Sequence, residues 1–268
     1  MFARIALAAG LLCIGAATAS GQTPDAVFLE ELTWTELREL MRAGKTTVIV
    51  PTGGTEQNGP HMALGKHNVR VKALSDKIAR SLGNALVAPV LAYVPDGGLT
   101  PPTGHMRFAG TLTTPDDVFQ KVLESAARSL KLHGFRDIVL LGDHAASQAG
   151  QKAVAARLNR EWAATAARVH AVEDYYRAGD VEFRRLLQSR GHAEDEIGRH
   201  AGLADTSLMM AIDPRMVRTG RLRSRPGPRD ASGVDGDPAR ASPELGQLGV
   251  ELVVARTVEA IRKSIGQR

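Results

Sequence analysis

Residues 46–67 read TTVIVPTGGTEQNGPHMALGKH. The opening run, 46–50, is short and apolar and reads as a buried strand. The chain then sets Gly53, Gly54, Gly59 and Gly65 around Glu56, Asn58, His61 and His67. Glycines at that density allow backbone turns that other residues resist. A carboxylate and imidazoles gathered in a turn at a strand end are the groups a metal site or an acid–base pair needs. A solvated polar loop is the plain alternative.

Working outward, residues 33–36 read TWTE, a capping-box pattern that opens a helix running to about Ala43, with Gly44 just past its end. Residues 69–82 place Leu74, Ile78 and Leu82 on one helical face, and Gly83 stops them. Residues 85–94 are apolar and β-prone, and Pro89 puts them at a sheet edge or a bulge. A Gly/Pro/Thr loop fills 95–115 and holds His105 and Arg107; a loop of that length is functional or mobile. A helix follows from Asp116 to Gly134, then a strand at 138–141. That strand runs into Gly142-Asp143-His144-Ala145-Ala146-Ser147. A helix over 148–166 and a strand over 168–172 come next. Residues 174–199 are polar, with Tyr175 and Tyr176 at the start and a helical patch at 183–187. Helices at 205–212 and 244–265 close the chain. Trp34 and Trp162 are expected to anchor helices to the core.

Short apolar strands alternating with helices imply an α/β fold, a parallel sheet covered on both faces. In such sheets ligands bind beyond the carboxyl ends of the strands. The Glu56/His67 loop and the Asp143/His144 turn both fall there.

The 268 residues, 43% hydrophobic and 24% charged, suit one globular domain. The formal charge of +5 is spread along the chain apart from an arginine-rich stretch at 218–229. No basic helix interleaves with aromatics, so nucleic-acid binding is not expected. The N-terminus reads as a signal peptide over 1–21: Arg4, an apolar 5–16, then Ala17-Thr18-Ala19. The apolar run is too short to span a membrane. Cys13, the single cysteine, lies inside it without the small residue before it that a lipid anchor would need. The expected mature chain, 22–268, is therefore one thiol-free domain in the periplasm or outside the cell. Its metal ligands could only be His, Asp or Glu.

The motifs also carry a family resemblance. Residues 53–67, GGTEQNGPHMALGKH, resemble the first motif of the creatininase family, approximately GSxEQHGPHLPLxTD. Residues 142–147, GDHAAS, resemble its NGHGGN; residues 200–207, HAGLADTS, resemble its HAGExETS; residues 233–238, GVDGDP, match its GVxGDP. Gly110-Thr111 is similar to the family's GT after the middle loop. The resemblance implies a three-layer α/β/α sandwich, often assembled into hexamers. It also implies one or two divalent metals, commonly zinc or manganese, that activate water against an amide carbon.

The departures from those motifs shape the site. Glu56 and His144 are kept. Asn58 stands where the family has a histidine, His67 where it has the aspartate that bridges two metals, and Ala146 where creatininase has a glutamate. In the third motif Leu203 replaces the first glutamate and Asp205 the second. Glu56, His67 and His144 form a His₂Glu set, a standard catalytic zinc shell. An imidazole bridges two cations poorly and a neutral amide binds zinc weakly, so one ion is expected rather than two. His200 and Asp205 are the candidate catalytic groups. Asn58, His61, Asp143 and Gln57 are expected to support the ligands or touch substrate. His105, His133, His170 and His192 lie outside the motifs and read as surface or structural. A homo-oligomer acting on a small or cyclic amide is the expected function. A binding protein that has kept the fold and lost its metals is the competing one.

Overall fold

The computed structural model describes residues 25–222 and 229–267. The expected signal peptide and part of the arginine-rich stretch lie outside the described residues. Four parallel strands form the sheet: β1 (Thr47–Thr52), β2 (Ala85–Val87), β3 (Asp137–Gly142) and β4 (Arg168–Ala171). Their order is β2-β1-β3-β4, with Thr47 paired to Asp137 and Thr52 to Gly142 across the centre. Strand order reverses direction between β1 and β3. That reversal opens a crevice at their carboxyl ends, where open α/β sheets bind ligands.

Side chains alternate across the sheet with period two. Ile49, Val87, Val139 and Leu141 face one core. The helices α2 (Lys66–Leu82), α8 (Leu203–Ile212) and α10 (Pro243–Gly266) cover it, together with α5 (Asp174–Arg177), a π turn at Ala178–Glu182 and α6 (Phe183–Ser189). Val48, Val50, Leu86, Ile138 and Leu140 face the other core, under α1 (Trp34–Arg42), α3 (Asp116–Leu132) and α4 (Ser147–Glu161). Two short turns, α7 (Glu194–Ile197) and α9 (Arg229–Ser232), complete the α-helices among the described residues. The result is the expected three-layer sandwich.

The capping box at Thr33 forms with both of its hydrogen bonds. The apolar run 85–94 gives only three strand residues. Ala88 still donates to Ile49, but Pro89 has no N–H, and pairing resumes only where the Leu91 amide donates to the Pro51 carbonyl. This is the edge strand that Pro89 implied. Segment 174–189 is helical almost throughout rather than a polar connection with one helical patch. Trp162 is buried as expected. Trp34 is not an anchor: it is 71% exposed, with the Arg38 guanidinium stacked over its ring.

Candidate active site

Glu56 leaves β1 on the glycine loop, and Asp143 and His144 leave the neighbouring strand β3. His67 lies not in the loop but in the first turn of α2, which starts at Lys66. The three elements meet over the crevice. His67 Nε2 lies 2.7 Å from Glu56 Oε1 and His144 Nε2 lies 2.8 Å from Glu56 Oε2. All three residues are buried, and their donor atoms lie within 4.8 Å of one another. These are the three residues read from the sequence as metal ligands.

The donor set fits a divalent cation. Burial pushes the Glu56 carboxyl up, but His67, His144 and Lys66 outweigh it and hold it well below the usual carboxylate range. Burial and Lys66 push His67 down, but Glu56 and Asp143 prevail and raise it. Imidazole protons thus stand between the donors where a cation would. The far nitrogen of His67 donates to Asp143 Oδ2 at 2.8 Å. A carboxylate on the outer nitrogen is the usual partner of a metal-bound histidine. His144 Nδ1 accepts from the Ala146 amide at 3.3 Å, so that ring carries its proton on Nε2, toward Glu56.

Asp143 is the hub behind His67. It accepts from Arg70 Nε at 2.8 Å and from the Tyr175 hydroxyl at 2.8 Å. Its burial opposes ionisation, yet Arg70 and His67 keep it below the ordinary aspartate value. Asp205 accepts from Lys66 Nζ at 2.5 Å, from Arg70 at 2.6 Å and from the Ala201 amide at 3.0 Å. Despite its burial, Lys66 and Arg70 hold it well below its usual value. With its oxygens engaged in this way, Asp205 anchors cations.

Asn58 spends its amide protons on the carbonyls of Glu56 and Ala63, and its Oδ1 has no partner among the described residues. His61 sits away from the cavity and donates from Nε2 to Thr206, whose hydroxyl donates to the Ala201 carbonyl. Asn58 braces the first motif internally, and His61 ties it to the third. Ala201 itself holds φ 54°, a left-handed conformation uncommon for a residue with a Cβ. His200 pairs through its backbone with Asp235 of the GVDGDP segment. Burial, then the nearby Lys66 charge, push its imidazole down to about 3, so it is neutral at physiological pH.

A cavity of about 220 Å³ opens over these groups and is lined by Glu56, Lys66, His67, His105, His144 and His200, among others. Four contributors escape the sequence reading. Lys66 and Arg70 occupy helical positions of a kind usually exposed, and only the carboxylates of Asp143 and Asp205, distant in sequence, make their burial intelligible. Asp96 Oδ2 lies 4.0 Å from His144 Nε2, its carboxyl pushed up by burial and then by Glu56. His105, read from the sequence as surface or structural, is half-buried on the cavity wall and faces Glu56 Oε2 at 3.9 Å. The density of chemistry-bearing residues in loop 95–115 was its available signal. His133 is exposed, and His170 is buried between Asp137 and Ser264.

Comparisons with known proteins bear on the family and the fold. A model of the creatininase family, described as creatinine amidohydrolase, matches residues 30–261. Creatinine amidohydrolase of Pseudomonas putida is 28% identical over 256 residues, 88% of this chain and 96% of the relative. The mycofactocin precursor peptide peptidase of Mycobacterium ulcerans is 24% identical over 184 residues, 66% of this chain and 62% of the peptidase. A crystal structure of creatinine amidohydrolase superposes with a TM-score of 0.76 at 27% identity, covering 90% of this chain and 99% of that one. Two further creatininase structures, one of Zn–Zn type and one with Mn, each superpose at 0.73 over the same shares, at 27% and 28% identity.

Proposed function

The chain belongs to the creatininase family, and on that premise we propose that it hydrolyses a C–N bond in a small or cyclic amide, using one divalent cation, zinc in preference to manganese, held by Glu56, His67 and His144. That it is a creatininase-family hydrolase follows from the family match and the structural neighbours. The observation that carries the finer reading is the buried Glu56 carboxylate between His67 Nε2 and His144 Nε2, at 2.7 and 2.8 Å.

An amide resists water because its nitrogen lone pair is delocalised and water is a poor nucleophile. A cation held by Glu56, His67 and His144 would supply a Lewis acid for the carbonyl and would lower the pKa of a bound water to about 7. The chain's own residues do the rest. Asp143 fixes the His67 ring, and Arg70 and Tyr175 fix Asp143. His200, neutral and facing the same carboxylate, accepts the proton of the attacking water and returns it to the departing nitrogen. Asp205 holds Lys66 and Arg70 in place. A single ion suits the site because the Lys66 ammonium already lies 3.9 Å from Glu56 Oε1 and repels a second cation. Asn58, its amide protons spent on carbonyls, adds no strong donor.

The test is the metal content of protein purified without added metal, followed by turnover of a panel of cyclic amides, formamides and lactams before and after chelation. We expect about one equivalent of metal and loss of hydrolysis on its removal. Activity that survives complete chelation overturns the mechanism. Two equivalents overturn the one-ion reading. Protein that holds no metal and turns over no amide is the silent binding protein instead. We further propose that the chain is exported after cleavage near residue 21 and self-associates. N-terminal sequencing of the mature protein and its hydrodynamic mass check these two points.

A further inference from the structure

His105 sits on the 3-10 turn Gly104–Arg107, and its ring lies 4.4 Å from that of His200. The side-chain amide of Gln57 stands behind both rings. Its orientation is settled by two backbone groups. Gln57 Oε1 accepts from the Gly59 amide at 2.9 Å, and Nε2 donates to the Gly233 carbonyl at 2.9 Å. Turning the amide over would set donor against donor and acceptor against acceptor. It is therefore the NH₂ end that faces His105 Nδ1 at 2.6 Å and His200 Nε2 at 3.1 Å.

Each imidazole answers differently. Gly233 takes one amide proton and His105 Nδ1 the other, so His105 Nδ1 accepts and the ring's proton is on Nε2. That N–H faces Glu56 Oε2 at 3.9 Å. His200 Nε2 lies 2.9 Å from the Gln57 backbone carbonyl, which can only accept, so the His200 proton is on Nε2. Its Nδ1 lone pair faces Glu56 Oε1 at 3.7 Å. Two adjacent rings thus turn opposite faces to the same region, a donor from His105 and a lone pair from His200. Ligand-type atoms of Glu56, His105 and His200 also lie within 4.8 Å of one another, and a cation held there through His105 Nε2 would require that ring to give up this tautomer.

We propose that His105 is a catalytic residue whose Nε2–H holds the substrate's carbonyl oxygen, opposite the His200 base, and that Gln57 is the positioning residue that sets both tautomers. The proposal rests on the amide-hydrolase reading above. As water adds to the carbonyl carbon, a C–O bond forms, the C=O π pair moves onto oxygen, and the water proton passes to His200 Nδ1. The His105 N–H stabilises the negative oxygen. When the C–N bond breaks, the nitrogen keeps its electron pair and takes the proton from His200, leaving acid and amine. A preorganised donor aimed at a developing oxyanion is commonly worth about 10²–10³ in rate.

The test has two arms on the full-chain protein. Long-range ¹H–¹⁵N correlation of the imidazole rings, assigned with single-histidine variants, reads the tautomers without any turnover. We expect protons on Nε2 of both His105 and His200, and loss of the fixed His105 tautomer in Gln57→Leu. In the second arm His105→Phe lowers kcat about 10²–10³-fold on whichever amide the wild type turns over, with KM changed less than about threefold. His105→Gln, which retains an N–H donor, recovers most of the loss. A His105 proton on Nδ1, or an undiminished kcat in His105→Phe, overturns the assignment of His105 alone. Tautomers as described in a wild type that turns over no amide overturn the hydrolase reading, and the catalytic role of His105 falls with it.

Discussion

The Lys66 ammonium lies 2.5 Å from Asp205 Oδ2 with its side chain only 1% exposed, so a buried ion pair of the protein's own stands in the cavity wall. Arg70 shares the same carboxylate from one turn further along α2. Removing one partner of a buried pair leaves the other uncompensated and commonly costs about 3–5 kcal/mol. Lys66→Met should lower the unfolding free energy by about 3 kcal/mol, because Arg70 still neutralises Asp205 in part. Urea denaturation with an unchanged m-value checks this.

Asp143 sets the ring of His67 through a 2.8 Å hydrogen bond. Loss of such an outer partner costs metal affinity roughly 10–100-fold. Asp143→Asn should weaken metal binding by that factor while leaving the number of bound ions unchanged. Competition against a chromogenic chelator reads the affinity, and elemental analysis the count.

His61 donates to Thr206 from a buried position, and burial holds its imidazole below the ordinary histidine value of 6.5. In the unfolded chain the ring takes a proton at that value, whereas the folded protein resists until lower pH. The unfolded state then binds more protons, and stability falls as pH drops below about 6.5. His61→Gln should flatten that part of the profile. Thermal midpoints between pH 5 and 7.5 show it.

Gly233 has φ +70°, and a Cβ there would lie 2.0 Å from Gln57 Oε1. Gly233→Ala should destabilise by about 1–3 kcal/mol from backbone strain alone. It should also displace the Gln57 amide and lower kcat about tenfold or more, the change in rate exceeding the change in KM. Steady-state kinetics at a temperature where the variant is fully folded separates the two effects.

The elements legible in the sequence are those set by local pattern. The capping box at Thr33 and Glu36, the apolar strand read at 46–50, which the structure carries on to Thr52, and the glycine stops after Leu82 and Leu132 all follow from spacing alone. The donors Glu56, His67 and His144 were legible because each lies in a dense motif. What escaped depends on contacts between distant segments. Nothing near Lys66 announces that Asp205, 139 residues on, will receive it. His105 sits in a loop without periodicity, and its role emerges only once Gln57 and His200 surround it. Trp34 looked like an anchor by residue type, but α1 turns its indole outward and keeps Leu40 for the core.

Thr52 and Gly142 are register partners, so the two halves of the site are launched from rungs of one ladder. Each strand residue advances the chain about 3.3 Å and flips its neighbours to the opposite face. A single insertion in β1 or β3 would therefore carry Glu56 away from His144 and exchange the strand's side chains between the two cores. Loop 95–115 and segment 174–199 sit under no such constraint, and both contribute to the cavity wall. Changes in chain length that alter what the enzyme accepts are tolerable at the exposed positions of those two stretches, clear of His105 and of the buried Tyr175, Phe183 and Leu187, while the central strands keep their length.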